Sequence, residues 1–115
     1  MSLSSSIRKL VFKIPITNIK WKCCISGDII DTSFLEVIVD TYRNISVEFI
    51  EFMRDAVNAF KEHVESRKCT IAEELALAIR DALQEKYSLH IITVKLVFLE
   101  KDNETGIVAT IEVEA

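Results

Sequence analysis

The stretch that decides the fold is VEFIEFMRDAVNAFKEHVESRKCTIAEELALAIRDALQEKY, residues 47–87. Its apolar residues recur every three or four positions, which is the spacing typical of an amphipathic helix. The pattern is interrupted near Arg67 and Lys68, whose charges suit the carboxyl end of a helix. The stretch therefore predicts two consecutive helices, the second opening at Thr70 and ending near Tyr87.

The first helix is predicted to bury one apolar stripe and to be capped by Asn44 or Ser46, since both side chains can accept hydrogen bonds from the first turn. Neither histidine is predicted to have a functional role. His63 is expected on the surface of this helix, and His90 at the start of the next strand. The predicted stripe is Phe49, Ile50, Met53, Ala56, Val57, Phe60 and Val64.

The second helix opens with Thr70-Ile71-Ala72-Glu73, which has the spacing of a capping box. In that motif Glu73 would fold back onto the backbone of Thr70. The alternative is that Glu73 stays free at the helix amino terminus, where an ionised carboxylate can accept two parallel N–H donors from a heterocycle. The predicted buried face is Ile71, Leu75, Ala78, Ile79, Ala82 and Leu83.

Strand patterns flank the helices on both sides. Apolar and polar residues alternate over residues 7–16, where Pro15 indicates an edge position or a bulge, and again over 19–25. Ser26-Gly27-Asp28 is the clearest turn signal, and a further strand is predicted from Phe34 to about Thr41. After the helices, residues 91–99 and 107–114 read as two more strands around a turn at 102–106, with Lys95 expected to pair with Glu112 or Glu114.

This order predicts an α+β fold: a four-stranded antiparallel sheet with two helices on one face, in the order β-β-α-α-β-β. A single domain is expected over residues 7–115, after a disordered leader at 1–6. The sheet face without helices still carries apolar residues, which usually marks an interface. We therefore expect a homo-oligomer whose sheets join edge to edge or face to face.

Composition narrows the functional classes. The 115-residue chain is 50% apolar and 28% charged, with a net charge of −4 that argues against general nucleic-acid binding. No apolar run approaches the roughly 20 residues that span a membrane, so a cytoplasmic location without membrane attachment is predicted. Cys23, Cys24 and Cys69 are predicted to be free thiols. With only two histidines, no metal site and no cofactor are predicted.

Two short motifs resemble dihydroneopterin aldolases, which belong to the tunnelling-fold (T-fold) superfamily. Glu73-Glu74-Leu75-Ala76 looks like that family's Glu-x-Leu-Ala motif, and Phe98-Leu99-Glu100-Lys101 ends a strand where the family places a Lys. Ser46-Val47-Glu48-Phe49 is similar to the run that opens the family's first helix, although Phe49 replaces its Tyr. Asp102 also replaces the Pro that usually follows the Lys.

The resemblance implies oligomeric barrels whose substrates bind between subunits. It implies Glu73 as the anchor of a pterin ring, or Glu74 if the register slips by one residue, and Lys101 as a metal-independent general acid or base. The expected function is therefore binding of a pterin or purine-like heterocycle at a subunit interface, with dihydroneopterin aldolase-type lyase activity as the first assay. The alternative is a non-catalytic homo-oligomeric assembly or binding protein.

Overall fold

The computed structural model describes residues 8–31, 33–41, 48–87, 92–101, 104–105 and 108–115. The elements in chain order are β1 (Arg8–Ile16), β2 (Trp21–Lys22), β3 (Ile29–Ile30), β4 (Ser33–Thr41), α1 (Phe49–Glu65), α2 (Ala72–Tyr87), β5 (Ile92–Lys101) and β6 (Val108–Glu114). Four strands form one antiparallel sheet in the order β1-β4-β5-β6, and two short strands, β2 and β3, form a separate hairpin. The predicted α+β class and the order of its six long elements are confirmed.

One core lies between the sheet and the two helices. Because successive strand residues point to opposite faces, alternate residues are buried beneath the helices over 12–16 of β1, 35–39 of β4 and 92–98 of β5. Each large apolar side chain that is fully removed from water contributes about 1.5–3 kcal/mol. The largest fully buried apolar side chains are Phe52, Phe60, Leu35, Leu75, Ile79, Leu83, Leu96, Val37, Val39 and Val94.

The segment between β1 and β4 differs from the prediction. The alternation over residues 19–25 does not continue β1 but forms β2 of the small hairpin, in which Trp21 pairs with Ile30. Asn18 adopts a φ of 62°, a left-handed conformation that interrupts the extended chain after β1. Gly27, with a φ of 76°, lies in the predicted turn and supplies the conformation that other residues avoid. Pro15 lies in β1, an edge strand as predicted.

Helix α1 is rotated relative to the predicted stripe. Phe52, which the stripe omits, is fully buried, whereas Phe49 and Ile50 are 52% and 57% exposed. His63, predicted on the surface, is buried. The cause is that α1 packs against both the sheet and α2, so its buried arc faces the angle between them: Phe52 meets Phe12 at 4.8 Å and Tyr87 at 5.1 Å between ring centroids.

The start of α1 is capped by Glu48, whose carboxylate accepts the N–H groups of Ile50 at 3.3 Å and Glu51 at 2.6 Å. Asn44 and Ser46, the predicted caps, lie outside the described residues, as do His90 and the leader at 1–6. Within the predicted turn at 102–106, Glu104 and Thr105 are in a turn.

The outer face of the sheet is mixed in character. Strand register aligns Lys13, Glu36, Lys95 and Glu114 in one row across all four strands. Lys95 pairs with Glu114 at 3.3 Å and with Glu112 at 3.7 Å, which confirms the predicted pairing. Apolar side chains lie beside this row, among them Phe34, which is 42% exposed.

The topology gathers several connections at one end of the sheet. The 16 residues of α2 rise about 24 Å, and β5 returns antiparallel to the helix, so the carboxyl end of β5 lies level with the first turn of α2. The β2–β3 hairpin and the connection between α1 and α2 lie at this end too, because both follow elements that finish there.

Candidate functional site

The β2–β3 hairpin is joined directly to the connection that leads into α2. The N–H of Thr70 donates to the carbonyl of Lys22 at 2.8 Å, and the N–H of Cys24 donates to the carbonyl of Thr70 at 3.0 Å. Together they form a short parallel bridge between Cys23 and Thr70. The amino terminus of α2 is therefore positioned by the hairpin.

This bridge displaces the predicted capping box. The helix begins at Ala72, and the N–H of Leu75 donates to the carbonyl of Ile71 at 3.0 Å, so Ile71 occupies the cap position instead of Thr70. The Thr70 N–H that Glu73 was expected to accept is already bonded to Lys22. The Thr70 hydroxyl is buried and has no hydrogen-bond partner among the described residues. The capping-box prediction is wrong because the N–H and C=O groups of Thr70 form strand-like hydrogen bonds with the hairpin.

Glu73 and Glu74 both lie exposed in the first turn of α2, but on different flanks. Residues four apart share a flank of a helix. Glu74 is thus in line with Ala78, which faces α1 across a groove of about 270 Å³ that Ala78 and His63 help to line. Glu73 is in line with Leu77, which is 41% exposed. Helical geometry therefore turns Glu73 away from α1 and Glu74 toward it.

His63 faces this inter-helix groove from α1. Its Nε2 atom is buried and has no hydrogen-bond partner among the described residues. Burial lowers the pKa of His63, the nearby Arg67 lowers the pKa further, and Glu74 acts in the opposite direction. The effect of Glu74 on His63 agrees with a Glu74 carboxylate directed toward α1. Glu73 has no such effect on His63.

The cysteines differ from the prediction. Cys24 and Cys69 form a disulfide between the hairpin and the α1–α2 connection, with their Cα atoms 5.0 Å apart. Cys23 is free, and hydrogen bonds from the backbone and hydroxyl of Ser26 lower the pKa of its thiol. The free-thiol prediction is wrong for Cys24 and Cys69, since 45 residues separate them and only the hairpin brings them together.

The carboxyl end of β5 completes this end of the molecule. Trp21 of the hairpin is buried, and its ring meets that of Phe98 edge to face at 5.6 Å between centroids. Lys101, the predicted acid–base residue, is the last residue of β5 and pairs with Val108 of β6. The backbone therefore brings Glu73, Glu74 and Lys101 to the same end of the domain. The role of each remains a prediction.

The described residues contain no group of three or more His, Cys, Asp and Glu side chains that could hold a metal ion. No helix in the described part of the chain is long and apolar enough to cross a membrane.

No protein-family model and no curated protein matches this chain. Among solved structures, the chain is similar to the archaeosine synthase QueF-Like in its apo form, at 17% sequence identity and a TM-score of 0.47. The match covers 100% of this chain and 96% of that one. Similarity at this level does not indicate a shared function, because one fold can carry many unrelated sites.

Proposed function

We propose that this chain is a homo-oligomeric protein of the T-fold type that binds a flat pterin or purine-like heterocycle at the amino terminus of α2. Glu73 is the anchor of the ring, and a second subunit completes the site. The observation that carries the proposal is the position of Glu73: its carboxylate is exposed in the first turn of α2, while the backbone group that would have engaged it in a cap is bonded elsewhere.

The chemistry of the ligand follows from that position. A carboxylate at a helix amino terminus is stabilised in its charged form by the helix dipole. Its two oxygens match two adjacent N–H donors on the edge of a pterin or guanine ring, which gives a bidentate, charge-assisted contact. Glu73 suits this role better than Glu74, since Glu74 is on the flank that faces α1 and its charge acts on His63.

Two further features favour a site shared between subunits. Glu73 is on the flank of α2 that turns away from α1, where Leu77 is also exposed. The outer face of the sheet leaves Val11 and Phe34 accessible, at 51% and 42% exposure. Sheets joined edge to edge into a barrel would turn this face inward and shield apolar surface of this kind.

A ligand titration tests the proposal. Wild-type protein is expected to quench neopterin fluorescence on binding, and guanine is expected to compete if the site accepts purines. Glu73→Gln keeps the size of the side chain but replaces one acceptor oxygen with a donor. It should weaken binding by about tenfold to a hundredfold, which corresponds to the roughly 1.5–3 kcal/mol of a charged hydrogen bond.

The matched control is Glu85→Gln, the same change at an exposed position in the last part of α2. This variant should bind like the wild type. Wild-type protein that binds neither neopterin nor guanine at millimolar concentration would remove the proposal. An equal loss of ligand affinity in Glu73→Gln and Glu85→Gln would show an effect of net charge and would argue against Glu73 as an anchor.

The enzymatic form of the proposal is a dihydroneopterin aldolase-type lyase in a cytoplasmic setting, with Lys101 moving a proton. Its test is cleavage of dihydroneopterin by the wild type and loss of turnover, with binding retained, in Lys101→Met. The matched control is Lys68→Met, at an exposed site in the α1–α2 connection. Binding without turnover would support the alternative of a non-catalytic binding or assembly protein, which Phe49 in place of the family's Tyr favours.

A further inference from the structure

The Cys24–Cys69 disulfide links the hairpin to the connection that leads into α2. Cys69 precedes Ala72, the first residue of α2, by three positions. Beside it are the two backbone hydrogen bonds of Thr70, to Lys22 and from Cys24. This junction therefore helps to position the first turn of α2, and so Glu73, together with the core packing of Ala72 and Leu75.

The bond is accessible from solvent. Cys24 is exposed and Cys69 is half-buried, so a small dithiol can approach the Cys24 side of the bond. Exposed disulfides are the ones that exchange readily with thiols, whereas disulfides buried in a core resist reduction. In the proposed cytoplasmic location, cellular thiols would act on such a bond continually.

We propose that the Cys24–Cys69 disulfide is a reversible latch that a dithiol can open, and that opening it weakens heterocycle binding at Glu73. The ligand part of this proposal rests on the proposed function. A thiolate of the reductant attacks one sulfur and forms a mixed disulfide, which the second thiol of the reductant resolves. Two electrons and two protons pass to the protein, leaving Cys24 and Cys69 as thiols and the reductant as a disulfide.

The expected effect follows from pre-organisation. With the bond closed, the connection at residues 66–71 is fixed on the hairpin, and the first turn of α2 is held in one position. With the bond open, the covalent link is lost and these segments are joined by non-covalent contacts such as the two hydrogen bonds of Thr70, so the first turn fluctuates more. A ligand then has to order that turn when it binds, which lowers its affinity.

The test compares oxidised protein with protein reduced by dithiothreitol, using neopterin and guanine as probes. Reduction is expected to weaken binding by about tenfold, and reoxidation should restore it. Cys24→Ser combined with Cys69→Ser should bind weakly in both conditions. Cys23→Ser is the matched control: it removes the neighbouring free thiol, and its response to reduction should equal that of the wild type. Equal or tighter binding after reduction would overturn the proposal.

A second readout separates this proposal from the proposed function. The amide of Leu75 donates within the first turn of α2, and the amide of Cys24 donates across the junction. Hydrogen exchange at both amides should become faster on reduction, whether or not a ligand binds. If neither probe binds but exchange accelerates, the proposed ligand is wrong and the latch is supported. Exchange that reduction does not change, or a bond that dithiothreitol cannot reduce in the folded protein, would overturn the latch.

Discussion

Asp55 of α1 joins the two helices at the end of the domain opposite the hairpin. Its carboxylate accepts a hydrogen bond from the hydroxyl of Tyr87 and pairs with Lys86 at 2.8 Å. The bonds from Lys86 and Tyr87 hold the pKa of Asp55 below its ordinary value of 3.8. Burial, followed by the bond to Asp55, raises the pKa of Tyr87. The Asp55 carboxylate is thus one of the contacts that attach the last turn of α2 to α1, beside the pair of Lys86 with Glu51 at 3.5 Å and the ring contact of Tyr87 with Phe52.

Asp55→Asn should lower the free energy of unfolding by about 1–2 kcal/mol, because one charge-assisted contact is replaced by a weaker neutral one. The measurement is urea denaturation near pH 7. A carboxyl group with a lowered pKa stabilises the folded state above its unfolded pKa and loses that effect as pH falls. The difference between variant and wild type should therefore shrink below about pH 3.8. Asp81→Asn, in an exposed pair with Arg80, should change little.

His63 is the second residue whose charge should affect stability. Its pKa is lowered by burial and by Arg67, with Glu74 opposing from α2, so the folded protein favours the neutral imidazole. A histidine with a lowered pKa contributes stability that is complete above its unfolded pKa of 6.5 and is lost as pH falls below that value. The unfolding free energy should drop by at most about 1.4 kcal/mol per pH unit there.

The variant that tests this is His63→Leu, which removes the titrating ring and the unpartnered Nε2 atom together. Thermal unfolding should be followed between pH 5 and pH 7.5. The variant should lose the part of the pH dependence assigned to His63 and should approach or exceed the stability of the wild type at pH 5. An unchanged pH profile in the variant would assign the effect to other groups.

At the scale of elements, the amino terminus of α1 is capped by the side chain of Glu48. Glu48→Ala removes the acceptor for the N–H groups of Ile50 and Glu51 and a negative charge beside the positive end of the helix dipole. The expected loss of stability is about 1 kcal/mol in urea denaturation. Glu65→Ala is the control at the opposite end of α1, where a negative charge is unfavourable, so this change should cost little or nothing.

The elements also show what periodicity can predict. The faces of β1 and β4 follow from alternation alone, because a strand has only two faces and one of them is buried. The rotation of α1 does not follow in the same way. Phe49 and Phe52 both fit an apolar arc, and the choice between them depends on where α2 lies. Alternation also fails to separate the hairpin from β1, since the break depends on the backbone of Asn18.

The site is predictable to a similar extent. The order of α2 and β5 is enough to place Glu73 and Lys101 at one end of the domain, because antiparallel neighbours bring the start of one element to the end of the next. The role of Thr70 is not predictable in this way. Its sequence context fits a helix cap, but its N–H donates to the carbonyl of Lys22 in β2, which is distant in sequence. The Cys24–Cys69 pair depends on the same long-range contact.

At the scale of the whole molecule, the charged row on the outer sheet face bears on how the subunits of the proposed oligomer would associate. Lys95 lies on the inner strand β5 and Glu114 on the edge strand β6, and the register continues the row through Glu36 to Lys13. Packing two such faces together would remove several charges from water, which costs more than exposed ion pairs return. Of the two predicted modes, this favours sheets joined edge to edge over sheets packed face to face.

β6 is an edge strand among the described strands, and its outer edge is suited to such an association between sheets. Val94 and Ala115 exchange both backbone hydrogen bonds, at 3.1 and 2.9 Å, so this is a hydrogen-bonded pair of the antiparallel ladder. Bonding alternates along the ladder, and the N–H and C=O groups of Glu114, Glu112 and Thr110 therefore point away from β5. Unpaired strand groups of this kind are a template for pairing with another chain.

Glu112→Pro tests this arrangement. Proline removes the N–H that points outward at residue 112, while the bonds from β6 to β5 on either side are retained, and edge strands tolerate proline. Sedimentation at micromolar concentration should show an oligomer for the wild type and a shift toward monomer for the variant, with circular dichroism unchanged. Glu112→Ala loses the same carboxylate contact with Lys95 but keeps the N–H, so it should remain oligomeric. A monomeric wild type would contradict the proposal of a site shared between subunits. A proline variant that remains oligomeric would show that the subunits do not associate through β6.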